Sequence, residues 1–88
     1  MHNTFRYSAL ETAGATTLKS SSGVLHSIVV GETTAFPITI WDSAGSGGTK
    51  IGTLKASIAE NTFCYNTRFA KGLHIENPGG SKITVSYA

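Results

Sequence analysis

The residues most capable of chemistry in this 88-residue chain are one cysteine and three histidines. They are Cys64, His2, His26 and His74. A cysteine nucleophile needs a neighbouring base or a helix N-terminus to activate it, and the sequence around Cys64 shows neither. Zinc ligands usually come in short paired spacings, whereas these four residues lie far apart. The sequence therefore predicts no reactive cysteine, no metal site and, with a single cysteine, no disulfide within the chain.

Asp42 is followed by a glycine-rich segment, residues 43–48, and such a combination could bind a cation or a phosphate. A calcium loop needs several more oxygen ligands at fixed spacing, and a phosphate loop ends in Gly-Lys-Ser/Thr before a helix. We interpret Asp42 instead as a turn residue whose carboxylate accepts hydrogen bonds from the local backbone. Because no paired acid and base is visible either, the chain is not expected to be an enzyme or to need a cofactor.

Few residues of the chain are charged: 14% in total, with a net charge of +2. An ordinary domain is about a quarter charged, so this surface has few charges to keep it apart from other proteins. The seven basic residues form no cluster along the sequence, which predicts no nucleic-acid partner. The hydrophobic core of an 88-residue chain gives only marginal stability. Additional stabilisation is expected from self-association or from binding to a larger partner.

No run of about 20 apolar residues is present, so no membrane contact is expected. Residues 1–6 lack the basic and then apolar pattern of a secretory signal, which predicts synthesis in a cytoplasm. A single unpaired cysteine is typical of such a reducing compartment.

A predicted β-hairpin, residues 35–56, organises the chain. Phe36, Ile38 and Ile40 have the period of two that places side chains on one face of a strand. The glycine-rich segment forms the tip of this hairpin. A second row, aromatic and equally periodic, comes from residues 62–69. The six residues expected to pack together as the core are Phe36, Ile38, Ile40, Phe63, Tyr65 and Phe69.

Short alternating segments separated by turn residues fill the rest of the chain, and Asn-Pro-Gly-Gly at residues 77–80 is the clearest turn. Seven to eight short strands without a helix predict an all-β fold, either an antiparallel two-sheet β-sandwich or a flattened barrel. We expect one domain over residues 13–88, preceded by an N-terminal arm or short first strand over residues 1–12.

The strongest predicted strand is residues 24–30, which is apolar on both faces. Strict alternation places Val24, Ile28 and Val30 on one face and Leu25 and Val29 on the other. A strand of this kind is usually central in its sheet or lies under an oligomer contact.

Two histidines lie within predicted strands. His26 is interpreted as a structural residue that is hydrogen-bonded nearby, because no carboxylate or thiol is close in sequence. His74 and Glu76 are expected to face outward together on a solvated surface.

Four residues are candidates for contact with a partner: Phe5, Arg6, Tyr7 and Trp41. Aromatic and arginine side chains are enriched where proteins bind one another. Trp41 has the opposite orientation to the isoleucines of its strand. There it could anchor a partner or a sugar ring, or it could pack against a neighbouring strand or subunit.

Three parts of the sequence have the most distinctive patterns. They are residues 23–30 (GVLHSIVV), residues 41–54 (WDSAGSGGTKIGTL), and residues 69–75 (FAKGLHI) closed by residues 83–87 (ITVSY). In this order and spacing they resemble small all-β virion proteins of tailed bacteriophages. The similarity covers roughly residue 20 to residue 88.

The resemblance implies a head decoration (cement) protein on the outer surface of the capsid. Such a protein would be a homo-oligomer, with a trimer favoured, and would stabilise contacts between subunits of the major capsid protein on the virion. The family has no catalytic residues to carry over. The alternative is a small tail-fibre or spike module that binds a host glycan or another virion protein, with Trp41 and the tyrosines as a stacking surface.

Overall fold

The computed structural model describes residues 5–45 and 48–88. Within these ranges the chain forms eight strands and no helix, which confirms the all-β prediction. The strands are β1 (Arg6–Leu10), β2 (Gly14–Lys19), β3 (Gly23–Glu32), β4 (Ile38–Asp42), β5 (Thr49–Leu54), β6 (Asn61–Phe69), β7 (Leu73–Asn77) and β8 (Lys82–Tyr87).

The strands form two antiparallel four-stranded sheets. The first sheet has the order β1-β8-β3-β6 and the second has the order β2-β7-β4-β5. Among the described strands, only β4 and β5 are consecutive and paired in one sheet, which confirms the predicted hairpin. Every other connection crosses between the sheets. Eight strands in two sheets with this order form a jelly roll, the variant of the β-sandwich built from two Greek keys.

All strands run between two ends of the sandwich. The end that carries the β2–β3, β4–β5 and β6–β7 connections is called the tip end here, because it includes the tip of the hairpin. The opposite end, called the base end, carries the other four connections. Because β8 is antiparallel to both β1 and β3, β1 starts and β8 finishes at the tip end.

The core lies between the two sheets. Its buried apolar residues are Leu25, Ile28, Val30, Ile38, Ile40, Leu54, Phe69, Leu73, Ile75, Ile83, Val85 and Tyr87. Of the six predicted core residues, Ile38, Ile40 and Phe69 are buried here. Phe63 and Tyr65 are partly buried and pack against this cluster. The core is therefore supplied by facing rows of aliphatic residues more than by the predicted aromatic row.

Phe36 is a correction to the predicted core, because 56% of its surface is exposed. Strand β4 begins only at Ile38, and Pro37 just before it has no N–H group to give to the sheet. Phe36 thus belongs to the β3–β4 connection. It lies beside Gly79 of the β7–β8 turn instead of facing inward.

Strand β3 is internal, between β8 and β6, as its apolar pattern predicts. The assignment of its faces was wrong, since a bulge lies between Leu25 and Ser27. The extra residue restarts the alternation. As a result Leu25 is buried together with Ile28 and Val30, while Val29 is 42% exposed on the outer face.

The predicted turn at residues 77–80 is confirmed and is closed by buried hydrogen bonds. The Asn77 side chain donates from Nδ2 to the Ser81 carbonyl (2.7 Å) and accepts at Oδ1 from the Ser81 N–H (3.0 Å). The Gly80 N–H donates to the Asn77 carbonyl (3.2 Å). One buried amide side chain therefore fixes the connection between β7 and β8.

Candidate functional site

The four candidate contact residues lie on different surfaces of the sandwich. Tyr7 is opposite Ser86 in the register of β1 and β8, on the outer face of the first sheet, and Phe5 lies on the same side. Arg6 is opposite Tyr87, so it lies on the opposite face of β1 from Tyr7. It is exposed, because β1 is an edge strand of the first sheet. Trp41 lies in the second sheet. The structure thus brings only Phe5 and Tyr7 together on one face.

The outer face of the first sheet carries two rows of uncharged side chains, most of them small. One row across its four strands is Tyr7, Ser86, Ser27 and Cys64, and the next row is Ala9, Thr84, Val29 and Thr62. None of these eight residues is charged. We call these two rows, together with Phe5, the uncharged face. Of the four large apolar side chains found exposed in the described ranges, three lie here: Phe5, Tyr7 and Val29.

His26 extends the uncharged face towards the tip end. Its ring packs against Phe5, with 4.5 Å between the ring centroids. Its Nδ1 atom is buried and has no hydrogen-bond partner among the described residues. The prediction of a nearby hydrogen bond was therefore wrong for this nitrogen, because the bulge of β3 directs the imidazole towards an aromatic ring. A buried polar atom left unpaired is costly, which marks this position as incompletely satisfied by the part of the chain that the structure describes.

Trp41 occupies the outer face of the second sheet and is half-buried. Its Nε1 donates a hydrogen bond to Oε1 of Glu76. The ammonium of Lys50 lies 5.4 Å from the centroid of the ring, within the range of a cation–π interaction. The indole edge and one ring face of Trp41 are therefore already in contact with side chains of this chain.

His74 is not on a solvated surface, contrary to the prediction. It is only 6% exposed, since the register places it between Thr17 and Trp41. Thr17 Oγ1 lies 2.8 Å from Nδ1 of His74 and donates to the Ala44 carbonyl at 3.2 Å. The hydrogen bond between the Thr17 hydroxyl and Nδ1 of His74 joins β2 to β7, and its donor is set by the tautomer of the imidazole. Its companion Glu76 is half-buried as well.

Asp42 does not serve a local turn, which corrects the sequence interpretation. Its carboxylate accepts hydrogen bonds from the N–H groups of Ala70 (3.0 and 3.1 Å) and Lys71 (2.8 Å), 28 and 29 residues away. The Ser43 N–H also donates to the Gly72 carbonyl (3.2 Å). The end of β4 is thereby attached to the β6–β7 turn. The hydrogen bonds from Ala70 and then Lys71 lower the pKa of Asp42 below its ordinary value.

The lowered pKa of Asp42 predicts a dependence of stability on pH. A carboxyl group with a lowered pKa in the folded state stabilises the fold above its unfolded pKa of about 3.9, and this contribution is lost as the pH falls through the folded value. Thermal unfolding of Asp42→Asn is therefore expected at a lower temperature than that of the unsubstituted protein at pH 7. The difference should shrink steadily below about pH 4.

Glu60→Gln is the control for this experiment, because it removes an exposed carboxylate from the base end. It should leave the melting temperature at pH 7 nearly unchanged. An Asp42→Asn difference that stayed constant down to pH 2 would show that the loss does not come from the ionised carboxylate.

Cys64 is a free, exposed residue of the uncharged face. Within residues 5–45 and 48–88, no three His, Cys, Asp or Glu residues are placed so that they could hold a metal ion. The same ranges contain no helix that is long and apolar enough to cross a membrane.

Comparison with known proteins gives no relative for this chain. No family model, no curated protein and no solved structure matches it. Its function must therefore be inferred from its own residues and fold.

Proposed function

We propose that this chain is a decoration (cement) protein of a tailed-bacteriophage capsid, which binds the outer surface of the head as a homo-oligomer. The observation that carries the proposal is the uncharged face, which would join the copies of the homo-oligomer. A sheet surface that exposes Phe5, Tyr7 and Val29 and has no charge in its two rows is typical of a site where another protein binds. The uncharged side chains of this face are suited to binding another protein surface.

The fold is compatible with this role. Jelly rolls occur in viral capsid proteins and in lectins, so the architecture alone leaves both the decoration protein and the glycan-binding module open. The resemblance of three segments to virion proteins favours the capsid. The virion as location and the major capsid protein as partner are parts of the same proposal.

Self-association would use the uncharged face. Packing it against another copy would remove Tyr7, which is 78% exposed, and Val29 from water. The same contact could supply a polar partner for Nδ1 of His26. In a trimer, the contacts of three protomers with the shell act together. The trimer therefore binds the shell more tightly than a single protomer would. A protein that binds the assembled shell and not its free subunits stabilises the shell by mass action.

The alternative function, binding of a host glycan through Trp41, has weaker support. Stacking on a sugar needs an exposed ring face, whereas Trp41 is half-buried and the Lys50 ammonium lies over one face of its ring. A glycan array separates the two functions. Sugar binding that is lost in Trp41→Ala would favour the tail-fibre or spike module.

The proposal is tested by placing a charge on the uncharged face with Val29→Lys. The matched control is Thr53→Lys, which adds the same charge at an exposed position on the second sheet. The unsubstituted protein should have three times the 9.2 kDa mass of one chain and should saturate purified heads. A buried, unpaired lysine opposes association, so Val29→Lys should weaken association at least about tenfold.

Two further measurements complete the test. Circular dichroism checks that both variants are folded, and thermal disruption of heads should occur at a higher temperature when the protein is bound. Absence of the protein from purified heads would contradict the capsid role. Equal association by Val29→Lys and Thr53→Lys would contradict the use of the uncharged face.

A further inference from the structure

The fold sorts charged side chains between the two ends of the sandwich. Five of the seven basic residues lie at or next to the ends of strands that meet at the tip end: Arg6, Lys19, Lys50, Arg68 and Lys71. By the same rule the base end holds four of the five acidic residues, together with the other two lysines: Glu11, Glu32, Glu60, Glu76, Lys55 and Lys82. The fifth acidic residue, Asp42, closes β4 at the tip end. The protein therefore has a basic tip end and a mixed, weakly acidic base end.

This polarity is invisible along the sequence, where the basic residues form no cluster. It arises because consecutive strands run in opposite directions, so the start of β1 and β5 and the finish of β2 and β6 are at the same end. The acidic residues of the base end follow the opposite rule: Glu11 comes just after β1, Glu32 closes β3, and Glu60 precedes β6.

The tip end acts electrostatically as a separate surface. Strand β3 has ten residues and connects the two ends, which corresponds to about 30 Å at roughly 3.3 Å per residue. The Debye length at physiological ionic strength is about 8 Å. A partner in contact with the tip end is therefore screened from the carboxylates of the base end, although the net charge of the chain is only +2.

The tip end also offers a place for an anionic group. A depression of about 170 Å³ is lined by Ser22, Gly23, Val24 and Arg68. Arg68 is the charged residue of this lining, and a guanidinium suits a carboxylate, which can accept two parallel hydrogen bonds from arginine. Because Val24 is apolar and Ser22 and Gly23 are small, the surface combines arginine with apolar and small side chains, as protein interfaces do.

We infer that the tip end docks on an acidic protein surface, with carboxylates of the partner against Arg68 and the neighbouring lysines. This inference rests on the proposed function, which makes the capsid shell the partner and leaves the uncharged face for contacts between copies. Nucleic acid is the less favoured partner, because Asp42, Phe5 and Val24 interrupt the basic surface instead of leaving a continuous stripe.

The direct test is zero-length carbodiimide cross-linking of the protein bound to heads, followed by peptide mass spectrometry. This reagent joins a lysine only to a carboxylate that touches it. The three tip-end lysines, Lys19, Lys50 and Lys71, should give at least fivefold more links to the shell than Lys55 and Lys82. Equal labelling of the two groups would overturn the inference.

A charge-reversal pair gives an independent test. Arg68→Glu with Lys71→Glu should weaken binding to heads at least tenfold and reduce its dependence on salt. The control, Lys55→Glu with Lys82→Glu, makes the same change in charge at the base end and should bind within about twofold of the unsubstituted protein. All four positions are exposed, and circular dichroism verifies folding.

A labelled peptide of ten glutamates and a labelled single-stranded DNA separate the remaining outcomes. Suppose that the protein does not bind heads but does bind the peptide, and that the double variant Arg68→Glu with Lys71→Glu abolishes peptide binding. The capsid role then fails, and the inference of an acidic partner surface stands. If neither heads nor peptide bind, both fail. If the protein binds DNA more tightly than the peptide and the same double variant abolishes DNA binding, the partner is a nucleic acid and the inference is overturned.

Discussion

Phe69→Ala is expected to lower the free energy of unfolding by about 3–5 kcal/mol. Phe69 is fully buried and is among the largest side chains of the core, so its removal loses apolar burial and leaves a cavity. Domains of ordinary stability unfold with only about 5–15 kcal/mol, and one of 88 residues is not expected to exceed that range. The variant should therefore be close to unfolding at room temperature. Denaturation in urea, followed by circular dichroism, measures the loss.

Phe36→Ala is the matched control, since it makes the same change at a side chain that is 56% exposed. Its expected effect is within about 0.5 kcal/mol, as for most surface substitutions. The pair also tests the corrected core directly. If the two variants lost similar stability, Phe36 would have to pack inside the sandwich in solution.

Gly23→Ala is expected to be the most damaging glycine substitution, at about 2–4 kcal/mol. A Cβ atom at this position would lie 2.1 Å from the Ala88 carbonyl oxygen and 2.7 Å from Cζ of Phe69. The paired hydrogen bonds between Val24 and Ala88, at 3.0 and 2.9 Å, hold these strands together. They must lengthen or break to admit the methyl group, and the Phe69 ring must move as well.

The melting temperature is the simplest measure, because 1 kcal/mol corresponds to roughly 4–8 °C for a domain of this size. A decrease of about 10–25 °C is expected for Gly23→Ala. Gly45→Ala is the control, because among the described residues that are not its chain neighbours no atom lies within 4 Å of the position its Cβ would occupy. A decrease of under about 5 °C in Gly23→Ala would mean that the two strand ends separate easily in solution.

Alternation in the sequence was sufficient to predict strands and their faces wherever the pairing is regular. In β8, which pairs with β1 without a register shift, Ile83, Val85 and Tyr87 are buried whereas Lys82, Thr84 and Ser86 are not, in agreement with the pattern. The prediction failed where the backbone departs from regular pairing. The bulge of β3 changed the face of its N-terminal half, and Pro37 excluded Phe36 from β4.

The candidate surfaces were less predictable, because they join strands that are distant in sequence. One row of the uncharged face takes Tyr7 from β1, Ser86 from β8, Ser27 from β3 and Cys64 from β6. The period of two tells which residues face outward, but it does not tell which strands become neighbours. The partners of Asp42 were missed for the same reason.

The crossing connections also determine when this chain can fold. Strand β1 pairs only with β8 among the described strands, so the first strand has no neighbour until the last one is available. A chain emerging from the ribosome can form the β4–β5 hairpin early, but neither sheet is complete before β8 and β7 have been synthesised. Folding therefore waits for β8, and its distant pairings place it among topologies that take roughly milliseconds to seconds.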